Sequence, residues 1–125
     1  MKKEVRFYQC SHCGNVAWKL VDKGVSLVCC QEAMLELIPN TADAAVEKHV
    51  PVITTGVGTV TVRVGSEEHP MEDKHFIGFI ALQDGETVTV RFLSPGEKPV
   101  LTCQGQDHVT AYAWCNLHGL WKGEN

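Results

Sequence analysis

His75-Phe76-Ile77-Gly78-Phe79-Ile80-Ala81-Leu82 is apolar on both faces, the pattern of a central strand buried between two layers. Asp84-Gly85 follows as a hairpin signal, and Thr87-Val88-Thr89-Val90-Arg91-Phe92 alternates beyond it. Upstream, Val60, Val62 and Val64 alternate with Thr61 and Arg63. Downstream, Ser94-Pro95-Gly96 turns the chain, Val100 to Cys103 reads as a strand, Gln104-Gly105-Gln106-Asp107 turns it again, and Val109 to Cys115 is expected to be the last strand. Short strands at this spacing, with no long helical period, repeat or low-complexity segment, predict a mainly β protein built on an antiparallel sandwich of immunoglobulin-like type.

That last strand runs into Trp114-Cys115-Asn116-Leu117-His118-Gly119, which places a thiol and an imidazole three residues apart. Three more histidines stand beside charged residues: His49 in Glu47-Lys48-His49-Val50-Pro51, His69 in Glu68-His69-Pro70-Met71, and His75 in Asp73-Lys74-His75-Phe76. Singly, each has a plainer reading as a solvated loop residue or a satisfied strand end. Together, four imidazoles and one thiolate exceed a tetrahedral zinc shell and suit a larger one with a position left over, a donor set that iron accepts. His12 and His108 read as exposed imidazoles and Cys103 as a small buried side chain.

The length of 125 residues holds one ordinary domain, or a very small one joined to a modest one. A net charge of -4 without a run of Lys or Arg argues against a nucleic-acid or anionic-membrane surface. Met1-Lys2-Lys3 begins like a signal peptide but meets Arg6 and Gln9 instead of an apolar core, and no stretch is long enough to span a bilayer. A cytoplasmic location is therefore expected. In that reducing compartment the six cysteines are metal ligands sooner than disulfides.

Four of them lie in the first 38 residues. Cys10-Ser11-His12-Cys13-Gly14 is a knuckle that aims two sulfurs at one point, with Gly14 supplying the backbone freedom. Cys29 and Cys30 are adjacent, so both reach one ion only if the chain bends there. Between the pairs, Val16 to Val21 and Val25 to Val28 predict a hairpin about Asp22-Lys23-Gly24. So short a module buries too little apolar surface to stand alone, and a metal held by four thiolates would add on the order of 10 kcal/mol. Composition does not choose zinc over iron. Pro39 breaks the chain, which sets the expected domains at 1–38 and 39–125. Thr41 to Lys48 predicts a short helical turn capped by Asn40 or Thr41 and stopped by Pro51.

The set Cys10-x-x-Cys13-Gly14-Asn15, Cys29-Cys30, Glu47-Lys48-His49-Val50-Pro51-Val52, Glu68-His69-Pro70-Met71, Lys74-His75 and Cys115-Asn116-Leu117-His118-Gly119 closely resembles desulfoferrodoxin, the two-iron class of superoxide reductase, over nearly the whole chain. The resemblance implies a small desulforedoxin-like domain in which Cys10, Cys13, Cys29 and Cys30 hold one iron. An immunoglobulin-like domain follows, whose iron is held by His49, His69, His75, His118 and an axial Cys115. Lys48 and Glu47 match the family's mobile pair beside the open position. It further implies reduction of superoxide to hydrogen peroxide, rubredoxin or a similar electron donor, a homodimer, and superoxide defence in an anaerobe or microaerophile. The chain departs from many relatives at Gln31 and Ala33, where Gly and Pro flank the glutamate.

Overall fold

The cysteine knuckle decides the pairing at the start of the chain. In the computed structural model, which describes residues 4–106 and 108–125, the turn from Cys10 to Asn15 joins β1 (Phe7–Gln9) to β2 (Val16–Trp18). The two strands run antiparallel, with Gln9 opposite Val16, and β5 (Leu35–Glu36) pairs with the other edge of β1. Two hydrogen bonds close the turn, from Cys10 N–H to Asn15 O at 2.9 Å and from Gly14 N–H to Cys10 O at 3.1 Å, and Gly14 takes φ +84°.

The expected hairpin between Val16–Val21 and Val25–Val28 does not form: β2 pairs with β1, and Val28 pairs with Ala33 in another hairpin. The intervening loop is held instead by polar contacts: Gly24 N–H donates to Asp22 Oδ1 at 2.8 Å, and Lys19 Nζ donates to Val25 O at 2.7 Å. A different, tighter hairpin pairs β3 (Val28–Cys29) with β4 (Glu32–Ala33). Its two turn residues, Cys30 and Gln31, sit at φ 51° and 66°, the left-handed region. This is the bend that two adjacent ligand cysteines require.

By its contacts the chain divides into one unit that ends at Ile38 and a second spanning Pro39–Asn125. The second contains α1 (Val46–His49), β6 (Pro51–Thr55), β7 (Thr59–Val64), β8 (Ile77–Asp84), β9 (Thr87–Phe92), β10 (Val100–Gln104), β11 (Thr110–Cys115) and β12 (Gly119–Glu124). They make two antiparallel sheets, of order β10-β7-β6 and β12-β11-β8-β9. Val60, Val62, Val64 and Leu101 of one meet Ile77, Ile80, Leu82, Ala111 and Ala113 of the other in a buried core. The alternating valines of β7 and the alternating alanines of β11 thus point inward, as a sandwich requires.

β8 is a central strand, between β11 and β9, as its two-sided apolar pattern predicts. Asp84-Gly85 makes the turn into β9, with Gly85 at φ 60°. The register between β8 and β11 shifts near its end: Trp114 faces Phe79 and Cys115 faces Ile77, leaving Gly78 unmatched. A Cβ at Gly78 would lie 2.7 Å from the Trp114 ring, so the bulge needs glycine.

Three features of this unit depart from expectation. The expected helical turn forms but begins only at Val46, its N-cap is Ala45 instead of Asn40 or Thr41, and no side chain caps it. Asn40 is drawn away to β12, where its side chain accepts from Lys122 N–H at 2.8 Å and donates to Lys122 O at 3.1 Å. Cys115 does not close the last strand, since the chain reverses through residues 116–118 and returns as β12, with Gly119 opposite Cys115. Asp107, at the end of the turn predicted after β10, and Met1, Lys2 and Lys3 lie outside the described residues. No helix among the described residues is long and apolar enough to cross a membrane.

Candidate metal centres

All six cysteines are free thiols. In the first unit the sulfurs of Cys10, Cys13, Cys29 and Cys30 lie within 4.8 Å of one another, with Cys13 Sγ 3.5 Å from Cys29 Sγ. Four thiolates around one ion at about 2.3 Å are separated by roughly 3.8 Å, so the cluster has the dimensions of a tetrahedral site. Backbone amides converge on it: His12 N–H and Cys13 N–H point at Cys10 Sγ at 3.4 and 3.5 Å, and Asn15 N–H at Cys13 Sγ at 3.5 Å. The amides of Cys13 and His12 pull the Cys10 thiol down to about 6, while the neighbouring sulfurs of Cys10, Cys13 and Cys29 push Cys30 up to about 12. Four sulfurs this close share protons in the absence of a cation and release them to a metal.

Two partners of this site were not evident in the sequence. Asn15 Nδ2 donates toward Cys29 Sγ at 3.7 Å. His12, read as merely exposed, places Nε2 3.1 Å from Glu32 and so links the knuckle to the Cys30–Gln31 turn. Only a histidine between the cysteines and an acid just past the second pair hinted at this contact.

The second cluster gathers at one end of the sandwich. His49 closes α1, His69 and His75 lie on the loop from β7 to β8, Cys115 ends β11, and His118 lies on the turn into β12. The ligand atoms of His49, His69, His75 and Cys115 fall within 4.8 Å of one another. His118 Nδ1 is 3.1 Å from His49 Nε2 and 3.8 Å from Cys115 Sγ. All five residues named from the sequence are therefore brought together. Cys115, His49 and His69 form the buried side, at 0%, 2% and 1% exposure, while His75 and His118 are half-buried.

The protonation of these rings tests whether they fit a metal. His49 Nδ1 lies 2.7 Å from Ala45 O and His69 Nδ1 lies 2.7 Å from Pro70 O. A carbonyl oxygen only accepts, so each Nδ1 carries the proton and each Nε2 presents a lone pair. Those two Nε2 atoms stand 3.1 Å apart. Two lone pairs at this distance repel each other unless a cation lies between them, and two imidazole ligands at right angles on one ion are roughly 3 Å apart. His75 Nε2 adds a buried nitrogen with no hydrogen-bond partner.

Burial, ahead of the neighbouring imidazoles, lowers the pKa of His49 and His75 and brings His69 down to about 4. The rings are thus held neutral and ready to ligate. Burial also pushes the Cys115 thiol up, against the Leu117 and His118 amides that favour its thiolate. A buried sulfur in this state ionises when a cation replaces its proton. Trp121 packs 4.7 Å from the His49 ring and donates from Nε1 to His118 O at 3.1 Å. Glu47 and Lys48 are exposed on α1, on the turn that delivers His49.

Fold and sites together define a mainly β metalloprotein with two separate thiolate-containing centres, one of four cysteines and one of histidines and a single cysteine. The chain belongs to the desulfoferrodoxin family, whose model matches residues 41–124. It is 44% identical to the desulfoferrodoxin of Nitratidesulfovibrio vulgaris, over 99% of both chains. Its fold is similar to the superoxide reductase of Treponema pallidum, with a TM-score of 0.77 and 31% identity over 97% of this chain and 99% of that one. A one-iron superoxide reductase from Giardia intestinalis matches 63% of this chain and 97% of its own, with a TM-score of 0.57 and 32% identity. In this family setting the two donor groups fit two iron sites.

Proposed function

We propose that the chain is a superoxide reductase, which converts superoxide to hydrogen peroxide at the histidine–cysteine centre. The observation that carries this reading is the pair of Nε2 atoms of His49 and His69, 3.1 Å apart on rings whose Nδ1 atoms face carbonyl oxygens, in one cluster with the buried Cys115 sulfur. His49, His69, His75, His118 and Cys115 would hold the iron, which when bound would supply the electron for each turnover. Superoxide takes up that electron and two protons and leaves as one hydrogen peroxide.

The chain's own residues do the rest. The neutral rings and the single thiolate add only one negative charge, so a divalent ion held by them would leave the centre net positive toward an anionic substrate. Lys48 lies on the solvent side, and its ammonium contributes, after burial and His118, to the lowered pKa of His75. A cation felt at the centre attracts an anion and orders water that donates protons. Glu47, on the same turn, is the carboxylate available to take the substrate's place between turnovers. Cys13 and Cys30 of the first site are exposed, which supports electron entry or storage there with rubredoxin as the donor. Exposed Val25, Val28 and Leu35 on the first unit support a homodimer.

The test is stoichiometry. Mixed with superoxide and reduced rubredoxin, the iron-loaded protein should yield one peroxide and one oxidised rubredoxin per superoxide, with no oxygen. A dismutase would give one oxygen and one peroxide per two superoxides and leave rubredoxin reduced. That result would overturn the proposal.

A further inference from the structure

The four histidines are oriented in two different ways. His49 and His69 are fixed singly, each by its own Nδ1–H on a carbonyl. Among the described residues, neither His75 nor His118 has such a bond on the ring nitrogen facing away from the centre. The aim of these two rings is therefore set by the main chain that carries them.

One side chain ties those two pieces of main chain together. Asn116 lies on the turn between Cys115 and His118, and its Oδ1 accepts from Phe76 N–H at 2.8 Å. Its Nδ2 donates to Lys74 O at 3.0 Å, and its own N–H donates to Phe76 O at 3.2 Å. The carboxamide thus grips the peptides on both sides of His75. Glu72 holds His75 itself, accepting from its N–H at 3.1 Å and donating to its carbonyl at 2.9 Å.

We infer that Asn116 is a positioning residue, whose carboxamide locks His75 to the turn bearing Cys115 and His118 so that three of the five donors move as one piece. The inference rests on the reading that these residues share one metal. The chemistry singles out asparagine: a planar group with one acceptor and one donor matches an N–H and a C=O side by side, and a carboxylate would face Lys74 O with lone pairs only. Outer contacts of this kind typically change metal affinity by about 10- to 100-fold.

Cobalt(II) added to the full-length metal-free protein is the probe, because a four-sulfur and a one-sulfur site give separable thiolate bands. Asn116→Ala should weaken cobalt at the histidine–cysteine site by about 10- to 100-fold and alter its band, with the four-cysteine band unchanged. Asn116→Asp, which keeps the volume and the Phe76 contact, should lose a large part of that affinity and decides the matter if the alanine variant does not fold. His75→Ala should weaken binding at least as much, and the double variant should bind no more weakly than His75→Ala alone. Full affinity in both Asn116 variants beside a weakened His75→Ala, or additive losses in the double variant, overturns the clamp. Full affinity in His75→Ala overturns the shared ligand set, and the clamp with it.

Discussion

Gly65 lies directly against Glu47, so that a Cβ on Gly65 would sit 2.7 Å from the Glu47 carbonyl oxygen and 3.0 Å from the Lys48 carbonyl carbon. The same oxygen accepts from Glu67 N–H at 2.9 Å and Ser66 Oγ–H at 3.1 Å. The turn that presents Glu47 and Lys48 is therefore seated on the loop leading to His69. Backbone cannot yield as a side-chain tip does, so Gly65→Ala should cost about 1–3 kcal/mol in urea denaturation. An unchanged midpoint would mean that this seat is loose.

Lys48 offers a cleaner test of function, because it is exposed and its loss costs the fold little. Lys48→Ala should slow the second-order reaction with superoxide several-fold to tens-fold and weaken its dependence on salt. Pulse radiolysis at two ionic strengths measures both. An unchanged rate removes Lys48 from the mechanism.

Glu47 has a different signature. If its carboxylate occupies the centre between turnovers, Glu47→Ala should shift the absorption spectrum of the oxidised protein while leaving the four-cysteine bands in place. A spectrum identical to that of the parent would make Glu47 a solvated side chain.

The histidines also predict how the metal-free protein responds to acid. Burial, first among the causes, brings His69 from an ordinary value of 6.5 to about 4, and His49 and His75 are lowered in the same direction. The unfolded chain therefore binds more protons than the folded one as pH falls from about 6.5 to about 4. Stability from these rings is complete above that window and lost through it. Thermal melts of the metal-free protein should show the midpoint falling with pH across this range, and His69→Gln should flatten the fall. A midpoint independent of pH in both would contradict the burial of neutral rings.

The sandwich was legible where side chains alternate or run apolar on both faces, as at Val60–Val64 and Ile77–Leu82. It was not legible at β6, where Pro51 opens the strand and paired threonines end it, nor at β12, a half-exposed strand containing Gly119, Lys122, Gly123 and Glu124. In the first unit the two- and three-residue ladders follow from the knuckle rather than from apolar pattern, which is why Asp22-Lys23-Gly24 resembles a hairpin turn and is not one. The donors could be named by residue type, and the need for a bend at Cys29-Cys30 followed from strand geometry. Which ring nitrogen faces inward, the grip of Asn116 and the His12–Glu32 contact depend on carbonyls and loops that meet only after folding.

The central claim is that five side chains distant in sequence hold one iron apart from the four-cysteine site. The most direct measurement is iron content together with the visible spectrum of the oxidised protein, in the parent chain, Cys115→Ser and Cys13→Ser. Two irons per chain and two separable sets of thiolate bands are predicted, with one set and superoxide reduction lost in Cys115→Ser and the other set lost in Cys13→Ser. One iron per chain, or a spectrum that both substitutions change alike, would contradict it.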